Sequence, residues 1–564
     1  MFLNYLKIAW RNLIRQKVYT LITVVGLALA MAACILIFLF IRHEFSYDQY
    51  HEHADSIYRL NWWLTTGDQK RGYAILPSNI GPPISEVLPE VVRSVRVCEP
   101  YAGSESAIRV NSHLFEQKIV LTDPALFDMF TIRSLSGHPR QALQDPSSIV
   151  ITQKVAEKYF PGINPIGKKI GVKTPFQAFV EFRVGAVIED LPTNTHLAFD
   201  ILIPFAVLPK FSQGYALTQF ELVFTYLQLR PGDPPETVEH KFPEFFKTHL
   251  KHRNVEPGKY FLEPLTDLHF SPGYFGDVGD RSSPQYSYYL VLLAGFILAV
   301  AAINFVVLTT ARSLSRTREV GTRKVLGAHR RQIVGQFLTE TMVLGILSGV
   351  LGLFLCEVLL PSFNAFLGRR LTLNLWGDGV LFLYLLGLVG LVSLMVGTYP
   401  AFFLASFRTA AILKGTWFTR LTGSGLRKVL VVVQFGLAIL FITGTLILVK
   451  QLHYIQHKDL GFDPENLVYT YVYKMTPSPE PFIQALRQNP NIVGVSLCGS
   501  TPGEKAVFQD VMPTGAGEGQ ALPMPIIPVG LDYFETIGME LLAGRTFSRS
   551  HPSDPDKAVV LNQS

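Results

Sequence analysis

Residues 311–340 read ARSLSRTREVGTRKVLGAHRRQIVGQFLTE, and the setting of this stretch decides what kind of protein the chain encodes. Up to Arg331 it carries seven basic residues (Arg312, Arg316, Arg318, Arg323, Lys324, Arg330, Arg331) against one acid, Glu319. Residues 317–326 predict a short helix. Gly327 is the residue type that stops one, because glycine enters left-handed backbone without steric cost. On either side lie residues 286–311 and 333–360, both long and nearly free of charge. About 20 apolar residues cross a hydrocarbon core about 30 Å thick, so this basic turn is expected to join two membrane spans.

Three more stretches qualify as spans: residues 18–41, 380–407 and 429–449. The composition agrees, with 17% charged residues where soluble chains carry about 25%. The first stretch is too long and too glycine-dotted for a cleaved signal peptide, and is expected to be retained. Charge orients the spans. Residues 1–17, 312–331 and 408–428 together carry +15, whereas the whole chain is +6, so everything else sums to −9. Lys and Arg mark cytoplasmic segments, which places the N-terminus and both basic loops inside and residues 42–285 and 450–564 outside. The positive charge is thus a topology signal and gives no ground for a nucleic-acid partner. Cys34 and Cys356 lie within spans. Cys98 and Cys498 lie one in each outer region and are expected to be unbridged, although an oxidising compartment would permit a bridge.

Residues 1–17 predict a helix at the inner lipid interface. His43, Glu44, Asp48, His51, Glu52, His53 and Asp55 follow the first span, but their spacing fits no compact metal pattern, and a solvated polar stem is expected. Residues 58–287 alternate strands and short helices, expected to form a split α/β domain with a second lobe at about 111–215. Gly162 to Lys169 approaches phosphate-loop spacing. It ends in Lys169 instead of Ser or Thr and follows a helix, so a turn entering a hairpin is expected. No hydrolase motif appears, and the chain is not expected to be an enzyme. Gly345, Gly349 and Gly352 permit close helix approach in lipid, here expected within one subunit. Pro400 is expected to kink or end the fourth span, and residues 408–428 form a linker before the fifth.

The outer regions repeat one another. Residues 127–137, beginning FDMF and closing on LSG, resemble 534–544, beginning FETI and closing on LAG. The IVITQ at 149–153 resembles VVLNQ at 559–563, and the VRVC at 95–98 resembles VSLC at 495–498. The second copy stops at the point where the first continues into three more spans. The sequence is therefore expected to be a piece of a protein with about eight spans in two halves.

The REVGTRKVLGA at 318–328 closely resembles the signature of FtsX-like permeases, the membrane subunits of MacB-type ABC transporters. Tyr399-Pro400-Ala401 followed by Leu413-Lys414-Gly415 looks like the end of the family's fourth span. Residues 45–60 and 149–168 resemble its periplasmic core domain. The resemblance covers essentially the whole chain and implies an α-helical membrane protein bearing MacB-type α/β periplasmic domains. This chain departs from the basic four-span pattern in being the tandem type and in stopping early. The resemblance further implies that a separate cytosolic ATPase dimer, which holds the ATP and magnesium, docks on the loop between spans two and three. Arg318, Glu319, Val320, Gly321, Arg323, Lys324, Leu326 and Gly327 would take the force. Glu319 and Arg323 stand four apart and can pair along a helix, and Val320 and Leu326 offer apolar contact. The flanking Arg312, Arg316, Arg330 and Arg331 are accounted for by topology. No cofactor is expected in the chain itself. Export or extraction of an antimicrobial peptide, macrolide-like drug or lipoprotein at the bacterial inner membrane is the implied role, with control of a cell-wall hydrolase or peptide sensing as the alternative. Lipid, and a periplasmic adaptor or outer-membrane protein, would be further partners.

Overall fold

The computed structural model describes residues 2–66, 69–99, 106–110, 113–174, 177–208, 223–249, 260–277, 281–375, 377–405, 424–470, 479–502, 507–511, 522–551 and 553–562. Its long helices are α1 (Phe2–Arg15), α2 (Lys17–Phe45), α3 (Pro284–Val325), α4 (Arg330–Leu367), α5 (Gly379–Ala405) and α6 (Ser424–His457). The last five are long and apolar enough to cross a membrane. Helix α1 buries Ala9 and Leu13 and exposes Leu6, Trp10 and Ile14 at successive turns, an apolar stripe suited to a lipid boundary. Helices α2 to α5 share one apolar core, in which Leu27, Met31 and Ile35 meet Leu298, Phe305, Leu344, Leu381 and Val392. Helix α6 touches this bundle through Phe441, whose ring stands edge-on to Phe296 at 5.8 Å.

The helices run further than expected. Residues 317–326 are not a separate helix. Helix α3 continues unbroken to Val325, about 63 Å at 1.5 Å per residue and roughly twice a hydrocarbon core. Helix α4 passes through Pro361, and α5 passes Pro400 to end at Ala405. In lipid a broken helix leaves polar backbone groups unsatisfied, and this outweighs the single hydrogen bond a proline removes.

Outside the bundle a mixed sheet holds β1 (Ile57–Thr66), β2 (Gln69–Tyr73), β3 (Val91–Cys98), β4 (Ser106–Val110), β5 (His113–Gln117), β6 (Ile119–Thr122) and β7 (Ser134–Gly137). It also holds β8 (Ser148–Thr152), β9 (Lys169–Thr174), β10 (Gln177–Ile188), β11 (Ile201–Pro204), β12 (Val223–Leu229) and β13 (Tyr260–Pro264). The order is β13-β1-β12-β3-β6-β11-β8-β10-β9-β4-β5, with β2 beside β1 and β7 beside β10. One sheet thus runs through both parts of the domain, and β4 lies on the far side against β9, so the lobe does not begin at 111. Every residue of β6, β8, β11 and β12 is buried, as befits strands covered on both faces. Two short helices, Pro235–Glu239 and Phe242–His249, follow β12 in place of one, because Pro243 cannot donate into a continuous helix. Strand β13 ends at Pro264 and gives way to a 3₁₀ turn, Leu265–Phe270. Gly162 and Gly167, at φ +71° and +80°, turn the chain into the β9–β10 hairpin.

A buried ionic network fixes the sheet edge. Arg59 of β1 lies opposite Glu263 of β13 and donates to it at 2.9 Å. It also holds both oxygens of Asp277, at 2.7 and 3.0 Å, and Asn61 at 3.1 Å. Asp277 in turn contacts Arg281 at 3.4 Å, on the segment that enters α3.

The polar run at 43–55 is a solvated stem only in part, since Glu52, His53 and Asp55 are exposed. Glu44, Asp48 and His51 are all buried. Asp48, at φ +57°, receives Thr195 Oγ1 at 2.8 Å and the His196 amide at 3.1 Å. The Thr131 amide donates to His51 Nδ1 at 3.1 Å. These partners come from loops far along the chain, which spacing alone does not reveal.

In the second outer region β14 (Val507–Val511) pairs antiparallel with β15 (Leu522–Ile526). The four-residue helix Tyr533–Thr536 matches Leu126–Met129 of the first region, and Gly137 and Gly544, at φ +77° and +86°, match after it. Cys98 is buried in β3 and Cys498 is exposed, and neither stands in a disulfide.

Candidate coupling site

The basic turn forms at the C-terminal end of α3. Val325 and Leu326 are its last residues before the break, 60% and 86% exposed, so the tip is apolar. Gly327 at φ +95° ends the helix, with its amide on the Lys324 carbonyl at 3.1 Å and the Ala328 amide on the Arg323 carbonyl at 3.0 Å. A side chain at Gly327 would be strained in this conformation. The next helix starts with a capping box. His329 caps the third amide of α4, and its own amide donates to Gln332 Oε1 at 2.9 Å, leaving fewer orphan donors at the turn.

Arg323 donates to Gln336 of α4 and so fastens the two helices across the turn. Lys324 sits partly buried beside Arg330, and both effects hold its ammonium below the usual lysine range, burial more than the like charge. The Arg330 guanidinium lies 6.0 Å from the centre of the Phe402 ring on α5. The turn is thus joined to three span helices at once.

Of the eight residues expected to couple, Arg323, Lys324, Leu326 and Gly327 stand at this tip. Val320 is buried, 4% exposed, and cannot offer apolar contact to a partner, because its helix face turns into the bundle. Gly321 lies in the continuous helix. The side chains of Arg318, Glu319 and Gly321 lie outside the described residues, and the Glu319–Arg323 pair with them. Sequence reading missed Val325, which its place next to Leu326 would have supplied.

The small residues of α4 face other helices of the same chain. A methyl group on Gly345 would overlap Ser393 Oγ of α5. On Gly349 it would meet Val389 at 2.9 Å, and on Gly352 the Ala28 carbonyl at 3.1 Å and Met31 at 3.2 Å of α2. Close helix approach in lipid needs this absence of side chain. Between α2, α3 and α6 lies a cavity of about 310 Å³, walled by Thr23, Gly26, Ala30, Asn304, Phe305 and Gln434.

Residues 20–245 match the model of the MacB-like periplasmic core domain, and residues 291–409 that of the FtsX-like permease C-terminal domain. The uncharacterized ABC transporter permease YvrN of Bacillus subtilis (strain 168) is 22% identical over 368 residues, 62% of this chain and 85% of YvrN. The macrolide export ATP-binding/permease protein MacB of Rhodopirellula baltica is 26% identical over 171 residues, 30% of this chain and 23% of that protein. The solved periplasmic region of MacB from Actinobacillus actinomycetemcomitans is 15% identical, covers 38% of this chain and 90% of its own, and has a TM-score of 0.28. An outer α/β domain matching the MacB core, then a permease domain whose helices meet at the basic turn, make this chain a MacB/FtsX-like permease.

Proposed function

We propose that the chain is the force-transmitting subunit of an ABC transporter. A separate cytosolic ATPase dimer, which carries the ATP and magnesium, docks on the tip formed by Lys324, Val325, Leu326 and Gly327. Its cycle moves α3, and α3 moves the outer domain. The observation that carries this reading is the continuity of α3, one helix from Pro284 beneath the domain to Val325 at the basic turn. The chain sits in the bacterial inner membrane with its N-terminus inside, in keeping with the basic segments. The work done is export or extraction of an amphiphile, such as an antimicrobial peptide, a macrolide-like drug or a lipoprotein, and a periplasmic adaptor or outer-membrane protein would receive it. The cavity between α2, α3 and α6, apolar apart from Thr23, Asn304 and Gln434, supports extraction from lipid over control of a cell-wall hydrolase.

Leu326→Asp tests the docking. Leu326 is almost fully exposed, so the variant should insert and fold as the parent does while losing copurification with the ATPase. Undiminished copurification and transport would refute the site. Deletion of the gene separates the two roles: sensitivity to amphiphiles supports export, and altered septation alone supports regulation.

A further inference from the structure

The outer end of α2 carries two charges of opposite sign, and each meets its complement on the loop between α4 and α5. Arg42 pairs with Asp378, and Glu44 Oε1 lies 3.9 Å from Arg369. The loop is itself pinned at both ends. Asn364 of α4 accepts from the Leu371 amide at 3.0 Å and donates to its carbonyl at 2.9 Å. Asp378 caps α5 through the amides of Val380 and Leu381, both at 3.1 Å.

The same turn of α2 reaches the outer domain. Glu44 Oε2 lies 3.0 Å from His269 Nε2, and both residues are 1% exposed. The His269 ring stacks on Tyr47 at 3.6 Å and 8°. The His269 carbonyl accepts from the Ser282 amide at 2.8 Å, just ahead of α3. Two residues beyond Ser46 the chain enters the domain's other side, where the Asp48 amide donates to the Asn194 carbonyl at 2.9 Å and Asn194 Nδ2 donates to the Ser46 carbonyl at 3.0 Å. One helical turn therefore contacts the α4–α5 loop, the segment entering α3 and both parts of the sheet domain.

We infer that Glu44, held by His269 and Arg369 and flanked by the Arg42–Asp378 pair, is the joint through which displacement of the spans enters the outer domain. These are positioning residues. They bind neither nucleotide nor substrate, and through them a shift of α2 within the bundle becomes a tilt of the domain against it. Burial of Glu44 and His269 suits this role, since a contact shielded from water and salt keeps its geometry under load. The inference rests on the force-transmission reading and adds where the force crosses.

The test uses the full chain with its ATPase in lipid nanodiscs. Spin labels are placed at Leu114→Cys in the domain and Val358→Cys in the bundle, both exposed, with Cys498→Ser as background. In the parent, the distance between labels should change on addition of ATP. In Glu44→Gln and in Arg42→Asp the ATPase should turn over at the parent rate while the distance no longer changes. The reversed pair Arg42→Asp with Asp378→Arg should restore the change, which a merely destabilised bundle would not do. An ATP-dependent change of parental size in both single variants would overturn the joint and leave force transmission standing. No change in the parent itself would overturn both.

Discussion

Replacing Arg59 by Met should unseat the outer domain's sheet edge. The guanidinium is 3% exposed and makes four hydrogen bonds, two to Asp277, one to Glu263 and one to Asn61. Burial works against its charge, but the Asp277 carboxylate more than compensates and holds its pKa above the ordinary arginine value. Met fills the aliphatic volume and leaves Glu263 and Asp277, 8% and 6% exposed, facing one another without the cation. Removing one partner of a buried pair costs about 3–5 kcal/mol. Asp277 keeps Arg281 at 3.4 Å, and Glu263 keeps the Asn61 amide at 2.5 Å. The loss therefore belongs at the low end, about 3 kcal/mol. In a domain of this size that lowers Tm by about 6–12 °C. Fluorescence of Trp62 and Trp63, which lie on β1 itself, follows the melt. The combined variant Arg59→Met, Glu263→Gln, Asp277→Asn removes the orphaned charges and should recover most of the loss. A single variant melting within about 2 °C of the parent, or a combined variant no better than the single one, would refute the account.

Two further outcomes follow from the packing and the titratable groups. Gly352→Ala should destabilise the bundle more than Gly345→Ala, by about 1–3 kcal/mol in detergent melts, because its new methyl meets the Ala28 backbone whereas that of Gly345 meets a Ser393 hydroxyl that can rotate. The reverse order would contradict the helix contacts described. His51 is buried, and burial pushes its pKa down from 6.5 to about 4, against the pull of Asp48. A depressed pKa means that the folded state keeps the ring neutral, so its stabilisation is complete above pH 6.5 and fades as pH falls towards 4. His51 alone should contribute a loss of about 2 kcal/mol between pH 7 and pH 5, so the stability difference between the parent and His51→Gln should shift by that amount in melts at the two pH values.

The spans and the basic turn were legible because their signals are local. Runs without charge mark the spans, clustered Lys and Arg mark the turn between α3 and α4, and Gly327 marks the end of α3. The reach of the helices was less legible. Pro400 was expected to kink or end the fourth span, yet in lipid the penalty for leaving the helix exceeds the penalty for keeping the proline. The sheet's true extent rests on pairings such as β4 with β9, which no window of sequence contains. Glu44, Asp48 and His51 were read as a wet stem because polar residues near a span end are ordinarily solvated. Their partners are His269, His196 and Thr131, and Glu44 and His269 stand 225 residues apart. Hydropathy reports how polar a residue is but not which distant side chain will enclose it.

Helix α3 also behaves as a material. Within lipid it cannot shorten by unwinding a turn, since every peptide group so released would face hydrocarbon at several kcal/mol apiece. It cannot buckle freely either, because α2 and α5 pack along it. Such an element is nearly incompressible along its axis, so it has no means of storing a stroke and must pass it on as it arrives. Any delay between events on the two sides of the membrane must then arise at its ends, in the glycine turn or at the base of the sheet domain.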